Sequence, residues 1–183
     1  MQEDRIDNQN KLEEQNILND LYRIYLNDLQ RFVRSRVSDI SAREDIISEV
    51  FLDIITYVRS GKDVRSARAL LYRIARNTVI DYYKEKAKFI KHEYPDGQVL
   101  DAQQSEEDHP EISADRAFAL REIGQQLVLL KPEYQEVVRL RFIEELTLKE
   151  ISTVLNKSLV GVRVLLHRAV RALRKKLEEA RHL

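Results

Sequence analysis

The chain has 183 residues, in which 31 Lys and Arg balance 31 Asp and Glu, with four His, one Met and neither Cys nor Trp. The missing cysteines exclude a disulfide framework, thiolate-ligated zinc and a thiol nucleophile. The 34% charged fraction breaks every apolar run well short of the roughly 18 residues a membrane-spanning helix needs. Four glycines and three prolines, against abundant Leu, Ile, Val, Arg and Glu, favour helices over strands. The opening residues MQEDRIDNQNKLEEQN are polar and acidic, without the basic and apolar parts of a signal peptide, so a cytoplasmic protein with no membrane insertion is expected.

Residues 16–37 carry Leu18, Leu21, Tyr22, Tyr25, Leu29, Phe32 and Val33 at spacings of three and four, the stripe of an amphipathic helix. Ser41 and Glu44 have the spacing of a capping box ahead of Ile46, Ile47, Val50, Phe51, Ile54, Ile55 and Val58, and Gly61 stands where this second helix should end. A third helix is expected from about Ser66, with Ala67, Leu70, Leu71, Ile74 and Ile80 apolar and Arg68, Arg73, Arg76, Asn77 and Lys84 mostly on other faces. Residues 89–112 lose the apolar period, hold two of the three prolines and read as a flexible acidic linker. Helix signals resume at Ser113 with Ala117, Leu120, Ile123, Leu127 and Leu130, and Pro132 suits the first position of the next segment, which carries Tyr134, Val137, Val138, Leu140 and Phe142. Thr147 and Glu150 form another capping-box pattern before Leu148, Ile151, Val154 and Leu155. After the polar turn Asn156, Lys157, Ser158, a long helix capped by Ser158 has Val162, Leu165, Leu166, Ala169, Leu173 and Leu177 as its inward face. The fold class is therefore all-α, in two small helical domains.

The zero net charge conceals blocks. Residues 1–58 carry 7 basic and 12 acidic side chains, 59–88 carry 9 and 3, 89–115 carry 1 and 8, and 116–183 carry 14 and 8. Two basic blocks flanking an acidic one point to two polyanion-facing surfaces, although a charge run is also what an ordinary solvated helix face looks like. Residues 147–175 have the form of a helix-turn-helix: a short helix, a tight turn and a longer helix with seven basic and no acidic residues between 157 and 177. The start of such a helix enters the major groove, where arginine reads guanine and phosphates hold the flanks. The histidines His92, His109, His167 and His182 have no metal-ligand spacing, no glycine loop of a nucleotide site is present, and the serines lie at caps or turns, so no metal, cofactor or catalysis is expected.

The stretch LKPEYQEVVRLRFIEELTLKEISTVLNKSLVGVRVLLHRAVRALRKKL resembles region 4 of bacterial sigma factors. AREDIISEVFLDII resembles the region 2 helix that docks on RNA polymerase, and LLYRIARNTVIDYYKEK resembles the helix that recognises and melts the −10 element. With both regions in this order and only a linker between them, residues 16–178 resemble the extracytoplasmic-function (ECF) group of sigma factors. The resemblance implies a region 2-like domain at 16–88, the acidic linker at 89–112 running toward the polymerase active-site cleft and RNA exit channel, and a region 4-like domain at 113–178.

It implies partners and residue roles as well. The partners are core RNA polymerase, through its β′ and β subunits, promoter DNA, and an anti-sigma factor. Glu44, Asp45 and Glu49 would meet the β′ coiled coil. Lys62, Arg65, Arg73, Arg76, Asn77, Tyr82 and Lys84 would bind the −10 element, while Tyr83 lies near the apolar face and is expected in the core. Arg163, Val164, His167, Arg168 and Arg171 would bind the −35 element. The chain departs from the family pattern at Gly161 (usually Thr), Val164 (usually Ser), Leu165 (usually Arg) and Leu70 (often Trp), and Leu159 and Val160 leave the start of the last helix apolar. Val160 or Val164 reading a thymine methyl, weaker sequence reading and a protein-binding surface all fit these departures. A stand-alone helix-turn-helix regulator with an amino-terminal dimerisation or effector bundle would explain the carboxyl-terminal half, but leaves the Arg-Ile-Ala-Arg-Asn motif without a task. A helical adaptor binding another protein is a third possibility.

Overall fold

Amphipathic periods of three and four fold as helices that bury their stripes against one another. The computed structural model describes the backbone of residues 20–93 and 114–181 and the side chains of 20–88 and 119–180. Among the described residues there are helices and no strands, in two units that divide at Ser105 and Glu106. The acidic terminus, Leu18, the linker from residue 94 onward, the expected helix start at Ser113, and the side chains of Ala117, His92, His109 and His182 lie outside the described residues.

In the first unit, α1 occupies residues 20–34, α2 Ile40–Arg59 and α3 Ala67–Glu93. Leu29, Phe32, Val33 and Val37 from α1 and its exit meet Ile46, Val50 and Ile54 of α2 and Ala69, Leu71, Tyr72, Ala75 and Val79 of α3, all buried. Tyr72 and Phe32 pack edge to face with centroids 5.3 Å apart. The Arg36 guanidinium lies 3.6 Å from the centroid of the Phe32 ring and donates to the Phe32 carbonyl, so one aromatic ring organises both the core and the end of α1. Tyr83 is half-buried as expected, and its hydroxyl donates to the Arg36 carbonyl at 2.6 Å, tying the far part of α3 to the same turn.

Two expectations need correction here. The cap of α2 is Asp39, whose carboxylate accepts from the Ala42 N–H, and not Ser41 with Glu44. Asp caps as well as Ser, and Arg43 reaches back from the first turn to the carbonyls of Val37 and Ser38, at 2.6 and 3.1 Å, which fixes the helix start beside the exit of α1. The linker expected from residue 89 begins instead with helix, since α3 runs to Glu93. Gly61 does end α2, with φ +68° immediately after the cap residue Ser60, a conformation open to glycine and strained for other residues.

The second unit comprises α4 (Ala114–Val128), α5 (Pro132–Phe142), α6 (Leu148–Leu155) and α7 (Leu159–Arg181). Pro132 begins α5, where its missing N–H costs nothing. The Gln135 side-chain amide donates to the Val128 and Leu130 carbonyls at 2.9 and 2.8 Å, satisfying acceptors left over where α4 stops. Leu127, Leu130, Val137, Val138, Leu140, Leu146, Ile151, Val154, Val162 and Ala169 form the core. Each fully buried Leu or Ile contributes about 2 kcal/mol relative to exposure.

The connection from α5 to α6 turns through Glu145 at φ +54° and returns Leu146 to the core, with the Leu146 carbonyl accepting from Arg141 at 2.8 Å. Thr147 and Glu150 form the reciprocal box: Thr147 Oγ1 accepts from the Glu150 N–H and Glu150 Oε2 accepts from the Thr147 N–H.

Candidate nucleic-acid interface

In the first unit the basic surface is built by α3 and the loop before it. Helical geometry places Asn77 about 40° and Lys84 about 20° around the axis from Arg73, so these three form one stripe, with Arg76 about 60° to its side. The buried residues of α3 lie mostly on the opposite side, which leaves Asn77 and Lys84 exposed and Arg73 and Arg76 half-buried. Lys62 Nζ lies 5.4 Å from the centroid of the Tyr57 ring and the Arg73 guanidinium 5.5 Å from the same centroid. A single ring of α2 thus holds one cation from the loop and one from α3.

The remaining positions are arranged differently. Arg65 pairs with Asp63 at 3.3 Å and Lys84 with Asp81 at 2.7 Å, both on the surface, where such pairs open at little cost. Tyr82 stands nine residues from Arg73, about 180° around the helix. It is half-buried, its ring lies edge-on to Tyr83 and its hydroxyl accepts from Lys86. The structure therefore does not bring Tyr82 to the Arg73 stripe. Tyr57 was not among the sequence candidates; its signal is an aromatic one turn before Gly61 and a basic loop.

On α2, Asp45 and Glu49 are exposed about 40° apart around the axis, with exposed Leu52 beside them, whereas Glu44 lies about 140° away from Glu49 and does not share their face. Partial burial, then the carboxylates of Asp53, Glu85 and Asp81, raise the Glu49 pKa above its ordinary value. Folding thus makes this proton harder to remove, so ionised Glu49 costs stability above its folded pKa, and that cost fades as the pH falls through it. Glu49→Gln is expected to raise the melting temperature at pH 7, with the gain shrinking toward pH 4; thermal melts at both pH values measure it, and an equal gain at both would refute the assignment.

In the second unit, α6 ends at Asn156, whose φ of +50° and N–H bonds to the Ser152 and Thr153 carbonyls close the helix. Ser152 Oγ donates to the Lys157 carbonyl at 2.5 Å, and the Lys157 N–H donates to the Ser152 carbonyl at 3.0 Å. Ser158 caps α7 as expected, accepting from the Gly161 N–H at 3.0 Å. A Cβ on Gly161 would stand 3.1 Å from that same hydroxyl oxygen. Glycine therefore lets the cap sit close.

With Val162 and Ala169 buried, α7 turns the opposite face outward. Val160, Val164, His167 and Arg171 lie along it within about 60°, and all four are exposed, Val160 at 67%. Arg163 and Arg168 are exposed on its two flanks. All five residues expected to bind the −35 element thus belong to one outward surface. Beside it, Glu133 and Tyr134 of α5 and Lys157, Gly161, Val164 and Arg168 line a groove of about 450 Å³. Among the described residues, no group of three His, Cys, Asp or Glu is placed to hold a metal ion, and no helix is long and apolar enough to cross a membrane.

Two basic helical surfaces, one of them a helix-turn-helix, agree with comparison to known proteins. Sigma-70 region 2 matches residues 21–89 and Sigma-70 region 4 matches residues 126–175. The chain is 30% identical to RNA polymerase sigma factor YlaC of Bacillus subtilis over 90% of its own length and 94% of that protein. It is 32% identical to ECF RNA polymerase sigma factor BldN of Streptomyces coelicolor over 87% of its length, spanning 60% of that longer protein. Its fold resembles sigma factor RpoE from Bartonella quintana, solved with the anti-sigma factor NepR, at a TM-score of 0.65 and 17% identity over 86% of this chain and 94% of that one.

The chain belongs to the RNA polymerase sigma factors of the sigma-70 family, in their ECF group. It directs promoter-specific transcription by RNA polymerase. The region 2 match gives the amino-terminal half a task that a stand-alone regulator has no use for.

Proposed function

We propose a division of labour in which residues 16–88 anchor to core polymerase and capture the −10 element, residues 113–178 read the −35 duplex, and residues 89–112 tether the two. On α2, Asp45 and Glu49 with Leu52 make the polymerase-facing surface, and Glu44, on another face of the helix, lies outside it. Like charges around Glu49 favour a cationic partner, which relieves their repulsion. On α3, Arg73, Asn77 and Lys84 track the separated strand, with Lys62, Arg65 and Arg76 at the margin, while Tyr82 supports packing. Cations along one face hold the phosphates, and an amide offers both donor and acceptor to an unstacked base. On α7, His167 and Arg171 face the groove with Val160 and Val164, and Arg163 and Arg168 reach the flanks.

The role is non-catalytic, needs no cofactor and is exercised in the cytoplasm. The complex of the related fold RpoE with NepR supports an anti-sigma factor as a further partner. The observation that carries this reading is the single stripe formed by Arg73, Asn77 and Lys84 opposite the core of α3. Run-off transcription with core polymerase on a genomic promoter library tests it. Discrete start sites are expected with the protein, lost on replacing Arg73 and Asn77 together by Ala; start sites unchanged by that double variant would refute the assignment to α3.

A further inference from the structure

Apart from Arg163 at its flank, the outward face of the first two turns of α7 offers DNA no side-chain hydrogen bond. Of the residues on its outward face in the first two turns, Val160 and Val164 are exposed hydrocarbon, and neighbouring Gly161 has no side chain. Ser158, the nearest hydroxyl, accepts the cap bond from the Gly161 N–H and stands about 160° around the axis from Val160, off this face. Guanine, adenine and cytosine are told apart in the major groove through donors and acceptors, whereas thymine alone among the four presents a methyl group there. Two valines one turn apart, without a polar side chain between them on that face, match that methyl group.

From this we propose that Val160 and Val164 are specificity-determining residues that select thymine at adjacent −35 positions by methyl contact. Gly161 assists by letting the first turn of α7 approach the base edges closely.

The inference rests on the reading of α7 as the −35 helix. Charge decides the occupant of this apolar pair. Arg163 and Arg168 flank it, His167 and Arg171 continue its stripe, and the segment from Lys157 to Leu177 contains no carboxylate; Glu133 of α5, across the groove from Val164, is one negative charge against these cations, so a polyanion fits better than a neutral apolar partner. The arginines and His167 then position the helix on phosphates and read bases further along, while the valines set the preference at its tip.

The test uses full-length protein assembled with core polymerase. Promoters with a randomised −35 segment are selected for binding, and each enriched thymine is then replaced by deoxyuridine, which removes only the methyl group. Enrichment of thymine at one or two adjacent positions is expected, with uracil there weakening binding about fourfold, the worth of one buried methyl-sized group. Val160→Ala or Val164→Ala, which removes two γ-methyls, is expected to shrink the difference between thymine and uracil at the position that side chain faces, with circular dichroism unchanged because both side chains are exposed. Equal binding of uracil and thymine promoters by the unsubstituted protein would overturn the proposal, as would a selection that the two alanine variants leave unchanged, the result expected if the valines seat a protein. If start sites are directed normally but no base is enriched at −35, the valine assignment fails and the sigma-factor reading stands. If polymerase is not redirected at all, both fail.

Discussion

Replacing Tyr57 by Leu is expected to slow promoter opening about tenfold, while Tyr57→Phe leaves it near normal. The ring holds Lys62 at 5.4 Å and Arg73 at 5.5 Å, one from the loop and one from α3. Each cation–π contact is worth about 0.5–1 kcal/mol at an exposed site, and losing two corresponds to about a tenfold change. Leucine keeps the apolar contacts of α2 but has no electron-rich face, so both long side chains regain their freedom and must be ordered again when they meet DNA. Phenylalanine keeps the face. The rate at which thymines become reactive to permanganate measures opening, and core-polymerase affinity serves as the control. Tyr57 lies about 80° around α2 from Glu49, so affinity for core should be unchanged. Equal opening rates for Leu and Tyr would show that the ring does not position these cations.

Phe32→Ala is expected to cost about 3–5 kcal/mol and to unfold much of the amino-terminal unit. The side chain is fully buried, packs perpendicular to Tyr72, and carries the Arg36 guanidinium 3.6 Å from its ring centroid. Its loss leaves a cavity against Tyr72 and removes the platform that holds Arg36. The Arg36 carbonyl is the acceptor for Tyr83, so the anchor of α3 loosens with it. A bundle of three helices has little stability in reserve. Urea unfolding followed by circular dichroism would show an earlier first transition, with the carboxyl-terminal unit melting as before. An unchanged first transition would mean that the ring is not central to this core.

Much of this was legible in the residue order. Leu29, Phe32 and Val33, then Ile46, Val50 and Ile54, are buried because spacings of three and four leave a helix no other face to hide. The Thr147 and Glu150 box and the Ser158 cap are local, formed by residues three apart, and so were readable. The cap of α2 was less so. Asp39 and Ser41 are equivalent by chemistry, and the choice depends on where α1 exits and on Arg43 folding back to Val37. The same holds at the candidate site. Spacing alone separates Tyr82 from Arg73 and Glu44 from Glu49, since nine residues make two and a half turns and five make nearly one and a half. No spacing rule brings Lys62 and Arg73 onto Tyr57, because that meeting needs the turn at Gly61 and the packing of α2 on α3.

The turn between α6 and α7 is held by its own short-range partners: Asn156 through Ser152 and Thr153, Lys157 through Ser152, and Gly161 through Ser158. None of these bonds involves the outward side chains of α7, and the residues that seat the helix, Val162 and Ala169, point the other way. Scaffold and lettering are therefore separable. On the proposed reading, changes at Val160, Arg163, Val164 or His167 are expected to alter which promoters are chosen without touching what sets the pitch of the helix. A helix seated in this way can exchange one exposed residue at a time while its own seat and cap stay intact.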